Sequence, residues 1–273
     1  MNELIRSAAR VAAMVERYLY LLRSSWTRIA DLVYWPTVQM VTWGFLQTYL
    51  ARLPGTGAPR GLAIGAGSLL GAVMLWDVLF RGQLGFSVTF LEEMWSRNVG
   101  NLLMSPLRPF EFILSLMVMS VVRLAIGMVP MTLLAILFFG FNLWGLGLAL
   151  AAFFANLILT SWAIGLVVSG LILRNGMGAE SLAWTIMFLM LPLTCVYYPV
   201  AVLPGWLGLL AWCLPPTYVF EGLRAVLAAH VFRADLMAEA LGLNLLLIGG
   251  AVLVYLWLLE SARRGGSLLQ TGE

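Results

Sequence analysis

Glu92, Glu93 and Arg97 are the residues whose types and spacing come nearest to a reactive group: two adjacent carboxylates with a guanidinium one helical turn further on. A carboxylate pair of this kind works as a general base when further groups position and relay the proton, and histidine does this most often. The sequence has one histidine, His230. The pair is therefore left with binding or mechanical work. The same scarcity removes other chemistries. His230, Cys195 and Cys213 are too few for an ordinary zinc cluster of about four ligands. No HExxH run is present, and Gly67-Ser68 has no histidine to activate its hydroxyl. All 16 basic residues are Arg, so a phosphate-loop lysine, a lysine Schiff base and a lysine base are excluded. No metal, cofactor or nucleotide hydrolysis is expected of this chain.

The elements that must position these residues are mostly hydrocarbon. The 273 residues are 62% hydrophobic and 11% charged, with a mean hydropathy of +0.93, where a soluble domain has roughly a quarter of its residues charged. Six segments reach the roughly 20 apolar residues that cross a bilayer: 32–50, 62–80, 112–139, 146–173, 181–198 and 241–259. The expected fold is an all-α polytopic membrane protein. Arg6, Arg10, Arg17, Arg23, Arg28, Arg81, Arg97, Arg108, Arg174, Arg263 and Arg264 fall on one side of these spans, and Arg52, Arg60, Arg224 and Arg233 on the other. The arginine-rich side is expected to be cytoplasmic, and both termini with it. The opening MNELIRSAAR leads to no short apolar core with a cleavage site, so no cleaved signal peptide is expected.

Three further elements punctuate the spans. Residues 200–214 are apolar but short, and Pro199, Pro204, Pro215 and Pro216 bracket them. They read as part of a re-entrant hairpin, 199–229, of two short helices, with Pro215-Pro216 ending the first and Thr217 capping the second. Residues 1–30 form an amphipathic interfacial segment. Leu4, Ala8, Val11, Val15, Tyr18 and Leu22 recur at helical spacing, with Arg6, Arg10 and Arg17 on another face to meet anionic headgroups. Its work is either anchoring or mechanical. The third element is a helix expected at about 91–104. Leu91, Met94, Trp95, Val99, Leu102 and Leu103 form its stripe, while Glu92, Glu93, Ser96, Arg97 and Asn101 cover the rest. Glu92 and Glu93 suit its N-terminus, Glu93 and Arg97 form an i,i+4 pair, and Ser105-Pro106 stops it. Such a helix either rests on lipid or receives a docking partner.

Two of these places carry a family resemblance. The acidic pair, Arg97 and the closing LLMSPLRPFE resemble the coupling helix of ABC-2-type exporter permeases. The run Tyr197-Tyr198-Pro199, Leu203-Pro204-Gly205-Trp206-Leu207, Leu214-Pro215-Pro216-Thr217-Tyr218 and Glu221-Gly222-Leu223-Arg224 is similar to that family's broken hairpin between the fifth and sixth spans. The resemblance implies residues 1–30 as a connecting helix and 31–273 as the transmembrane domain. It also implies a homodimer in a bacterial inner membrane, served by two copies of a separate ATP-binding-cassette subunit that holds the ATP and Mg. Glu92, Glu93, Met94, Trp95, Arg97, Asn101 and Leu102 would then meet that ATPase. Tyr198, Pro199, Pro204, Pro215, Pro216, Thr217, Glu221 and Arg224 would form an outer gate. The cargo would be an amphiphile, drug, lipid-linked sugar or polysaccharide, carried along the dimer interface. The missing lysine fits an ATP site on another chain.

Ionisable groups at membrane depth are costly and mark function by default. Asp77 lies near the inner end of the second span, where it can snorkel to water. Arg123 lies deeper in the third and is expected to pair with Asp77 or Glu111. Glu221 and Arg224, at i,i+3, either pair locally or fix the gate across a dimer. Gly61/Gly65, Gly67/Gly71 and Ser161/Gly165 offer small packing faces. Pro36, Pro130 and Pro192 fall inside spans. Trp26, Trp35, Trp144, Trp206 and Trp212 suit interfacial belts. Trp43, Phe45, Tyr49 and Trp76 either line a path or simply pack, and Cys195 and Cys213 are expected to be free. Two rival functions are weaker. An ion-coupled secondary transporter would use Asp77 and Arg123, but matching breaks in both halves are missing. Glu92-Glu93-Met94-Trp95-Ser96-Arg97 matches the EExxxR pattern of CAAX-type intramembrane proteases, which also need histidines this chain lacks.

Overall fold

Ten α-helices are found in the computed structural model, which describes residues 2–52 and 65–265. In chain order they are α1 (Asn2–Arg23), α2 (Trp26–Arg52), α3 (Gly65–Trp95), α4 (Val99–Met104) and α5 (Pro109–Phe139), then α6 (Leu148–Asn175), α7 (Leu182–Leu193), α8 (Gly205–Trp212), α9 (Pro215–Ala229) and α10 (Ala234–Gly265). No strand occurs among the described residues. The start of the expected second span, with Gly61, lies outside them.

Among the described residues, four stretches are long and apolar enough to cross a membrane: Leu69–Trp95, Pro109–Phe139, Leu148–Asn175 and Ala234–Arg264. Helix α2 has 27 residues, a length of about 40 Å, but Arg28, Asp31, Gln39 and Gln47 dilute its apolar character. The segment expected as a fifth span, 181–198, is only partly helical. Its helix α7 has only 12 residues, about 18 Å against a hydrocarbon core of about 30 Å. Pro192 cannot donate to the ladder, Cys195 takes a φ of 55°, and the Tyr198 hydroxyl donates to the Pro192 carbonyl at 2.6 Å.

The second span is also corrected. Its helix runs on past Phe80 to Trp95, because residues 81–91 hold no proline and several of their polar side chains bond within the helix. Arg81 Nε donates to Asp77 Oδ2 at 2.7 Å, Gln83 to Ser87 Oγ at 3.0 Å, and Thr89 to the Gly85 carbonyl at 2.7 Å. The expected continuous helix at 91–104 is consequently split. Glu92 to Trp95 end α3, the chain turns where Arg97 has a φ of 56°, and α4 follows. The Asn98 amide closes the turn on the Glu93 carbonyl at 2.9 Å.

Helix α6 packs centrally against α10, α3 and α9, and α3 is in turn covered by α5 and α2. The small-residue face expected at Ser161/Gly165 is the α3 contact. A Cβ on Gly165 would come within 2.8 Å of the Phe86 ring, and one on Gly82 within 2.6 Å of Ser161 Oγ. Gly71 likewise meets the Phe141 ring. Polar contacts join α6 and α10: Thr160 donates to Asn244 Oδ1 at 2.7 Å, and the Asn244 amide donates to Asn156 Oδ1 at 3.0 Å. Gly165→Val is expected to lower stability by about 1–3 kcal/mol through overpacking. Thermal unfolding in detergent checks this, and Phe86→Leu in the same chain should recover part of the loss.

Candidate coupling and transport site

Ion pairs at one end of the bundle tie four helices together. Glu93, 1% exposed, accepts from Arg17 of α1 at 2.5 and 3.1 Å and from the Asn98 side chain at 2.8 Å. Its neighbour Glu92 accepts from Arg123 of α5 at 2.6 Å and from Arg28 of α2 at 3.4 Å. Glu111 accepts from Arg10 at 2.8 and 2.5 Å and from the Arg108 amide at 2.9 Å, so one carboxylate caps α5 and holds α1. Its negative charge also suits a helix N-terminus. Arg108 reaches Glu3 at 3.0 Å.

These pairs correct several expectations. Glu93 pairs with Arg17 rather than Arg97, because the turn at Ser96–Asn98 carries Arg97 to the outside. Arg123 finds Glu92 rather than Asp77 or Glu111, because Asp77 is taken by Arg81. Asp77 is 1% exposed and does not snorkel to water. Arg10 and Arg17 grip carboxylates of the bundle rather than headgroups, and Tyr18 and Leu22 are buried beside Phe86, Phe90 and Leu91. The hydrogen bond to Glu93 raises the pKa of Arg17, and burial raises that of the Tyr18 phenol. The first turns of α1 keep Leu4 and Ile5 exposed.

Of the expected coupling residues, Glu92 and Glu93 face inward. Trp95, Ser96, Arg97, Asn101 and Met104 form an exposed knuckle, with Met94 and Leu102 half-buried. Trp95 Nε1 donates to Glu180 at 3.2 Å, tying the knuckle to the segment between α6 and α7.

Beside this end opens a groove of about 810 Å³ between α2, α3, α5 and α7, within the roughly 300–1,000 Å³ usual for small-molecule sites. Trp35, Trp43, Trp76, Phe80, Trp184 and Phe188 supply its aromatic walls, and Arg28, Asp31, Arg81, Glu92 and Arg123 its charges. Of the four deep aromatics that either line a path or simply pack, Trp43 and Trp76 line this groove. Phe45 instead packs edge-on against Phe139, and Tyr49 is exposed. Trp43 stacks on Tyr197 with centroids 4.5 Å apart. Among the described residues no cluster of three His, Cys, Asp or Glu could hold a metal.

At the opposite end, the hairpin is bolted down by Arg224. It donates to the carbonyls of Cys195, Val196 and Tyr198 and meets Glu221 at 3.2 Å, while Glu221 accepts from the Val200 amide at 2.8 Å. Both side chains are thus engaged within the chain. Pro199 and Pro204 precede a 3₁₀ turn (Val200–Val202) and α8. Pro215 and Pro216 open α9 from Leu214, the actual N-cap. Thr217 is not the cap, because the prolines, whose fixed φ suits the first helical positions, already start the helix two residues before it, and the Thr217 amide donates to the Leu214 carbonyl at 3.1 Å. Its hydroxyl is buried without a hydrogen-bond partner among the described residues. Cys195 is buried and Cys213 exposed, both as free thiols.

The sequence did not reveal Arg10, Arg17 and Arg28 as partners of the bundle's carboxylates, nor Trp184 and Phe188 as groove walls. One available signal was the seven-residue spacing of Arg10 and Arg17, which puts both on one face of α1.

Helical throughout its described residues, with several apolar helices long enough to cross a bilayer, the chain is built as a multi-pass membrane protein. The family model of the ABC-2 type transporter matches residues 16–228. The chain belongs to that family, and is a transmembrane component of ABC-type transport. Such permeases are typically non-catalytic and generally work with an ATPase partner. No curated relative matches the chain.

Proposed function

We propose that this chain is the membrane subunit of an ATP-driven exporter. It works as a homodimer with two copies of an ATP-binding-cassette subunit, in a bacterial inner membrane with both termini cytoplasmic. In this reading α2 and α7 complete six crossings, α7 being extended by the irregular segment that follows it. Residues 1–30 are the connecting helix. The cargo is an amphiphile, drug, lipid-linked sugar or polysaccharide, drawn from the cytoplasmic side and passed outward.

The observation that carries this reading is the exposed knuckle of Trp95, Arg97, Asn101 and Met104 on a helix end whose last turn is locked to α1, α2 and α5. A push on the knuckle moves Glu92 and Glu93, and with them the α1 contact and the groove wall. Glu92 and Glu93 transmit the push, whereas Arg97 and Asn101 receive it. At the other end the hairpin, held by Arg224 and Glu221, acts as the outer gate.

Arg97→Ala tests this reading. In purified complexes with the ATPase, substrate-stimulated hydrolysis should fall about tenfold, equivalent to about 1.4 kcal/mol, with the permease folded and inserted as before. Full stimulation by the variant, or failure of any ATPase to co-purify with the wild type, would overturn the assignment.

A further inference from the structure

We propose that the groove binds an anionic amphiphile: a phosphate, sulfate, sulfonate or carboxylate head on a flat, largely apolar body. This rests on the transport reading and names the chemical class of the cargo.

The charges of the groove favour one sign of ligand. Glu92 gives one oxygen to Arg28 and the other to Arg123, so it has little left for a cationic head. Asp31 is exposed at the rim. Asp77 keeps one oxygen without a partner among the described residues, but it does not line the groove. The guanidinium donors, by contrast, exceed their acceptors. Arg123 is 6% exposed and meets Glu92 through a terminal nitrogen, while its Nε is buried with no partner among the described residues. Arg81 is 9% exposed and meets Asp77 through Nε, so its terminal fork is not committed to that carboxylate. Each guanidinium has five N–H donors in a plane that matches an oxyanion in two-point contact. A neutral ligand would displace water from the guanidinium groups that line the groove without replacing its hydrogen bonds, which costs binding energy.

The remaining walls select the body. Trp43, Trp76, Phe80 and Phe188 line the groove beyond Arg81, and their faces favour offset stacking on a planar apolar partner. The head therefore sits toward Arg28, Arg81 and Arg123, and the body toward the Trp43–Tyr197 stack.

The test uses the full chain in phosphatidylcholine nanodiscs and three probes with a naphthyl core: 1-anilinonaphthalene-8-sulfonate, its uncharged parent N-phenyl-1-naphthylamine, and a naphthyl trimethylammonium cation. Tryptophan quenching is corrected for uptake by empty discs. The sulfonate should bind at least about tenfold more tightly than either of the others. Asp77→Asn with Arg81→Gln keeps the pair neutral and should close the gap between the sulfonate and its parent. Arg28→Gln, at a half-exposed side chain, should weaken sulfonate binding about threefold and stands in if the double variant does not fold. Equal affinity for all three probes, preference for the cation, or unchanged sulfonate affinity in these variants would overturn the proposal. Repeating the titration in discs with phosphatidylglycerol separates the sources. Competitive loss of sulfonate binding assigns the head to a membrane lipid, and unchanged binding assigns it to a solute. Both results require the arginines. Failure here leaves ATPase stimulation intact, whereas failure of the exporter reading leaves probe binding by the isolated chain intact.

Discussion

Glu93→Arg alone is expected to detach α1 and abolish ATPase-coupled transport, and Arg17→Glu added to it should restore much of both. Glu93 is almost completely buried and holds Arg17 through two contacts and Asn98 through a third. Reversing its sign puts two guanidinium groups together where none of the solvent can screen the inner one. Breaking a buried pair costs about 3–5 kcal/mol. Here the loss should be about 3 kcal/mol, the lower end, because Arg17 is partly open to water. Thermal unfolding and protease susceptibility of α1 report the structural part, and substrate-stimulated ATPase in the complex reports the coupling. If the double variant is as impaired as the single one, the pair does not act as a unit.

Arg224→Ala should cost as much again at the opposite end. One guanidinium satisfies three carbonyls in the turn that follows α7 and also meets Glu221. Hydrogen bonds to charged groups are worth about 1.5–3 kcal/mol each, and they are not additive. A loss of about 3 kcal/mol or more is expected, with the 195–200 turn detached from α9. Arg224→Lys should recover less than half of it, because the guanidinium holds the carbonyls through one terminal nitrogen and faces Glu221 with the other, and a single ammonium cannot occupy both places. Thermal unfolding of the three proteins, with hydrogen exchange over the 195–200 turn, decides the matter. If lysine substitutes fully, the bracket does not depend on the planar fork. On the gate reading, the alanine variant should also leak substrate without ATP.

The apolar spans at Pro109–Phe139, Leu148–Asn175 and Ala234–Arg264 were legible because hydropathy alone determines them. So were the proline-broken hairpin and the Ser161/Gly165 face. The end of the second span was not. Residues 81–91 look polar along the chain, yet Arg81, Gln83 and Thr89 find partners one turn away on the same helix. The knuckle was legible as an interruption in hydrocarbon, but its internal arrangement was not. A stripe at helical spacing continues through Trp95 and Val99, and nothing in it announces the left-handed residue at Arg97. Partners far apart in sequence were the least legible of all. Arg123 and Glu92 are 31 residues apart, and Arg10 and Glu111 are 101 apart. Local pattern cannot choose among several carboxylates at similar depth.

Glu92 and Glu93 are consecutive, so helical geometry points their side chains about 100° apart around α3. One faces Arg28 and Arg123, the other Arg17. A twist of that last turn large enough to strip one carboxylate of its arginine must displace the other as well. Release of α1 and widening of the groove mouth are then one event with one activation barrier. Time-resolved probes placed on α1 and beside Arg123 should therefore relax with the same rate constant.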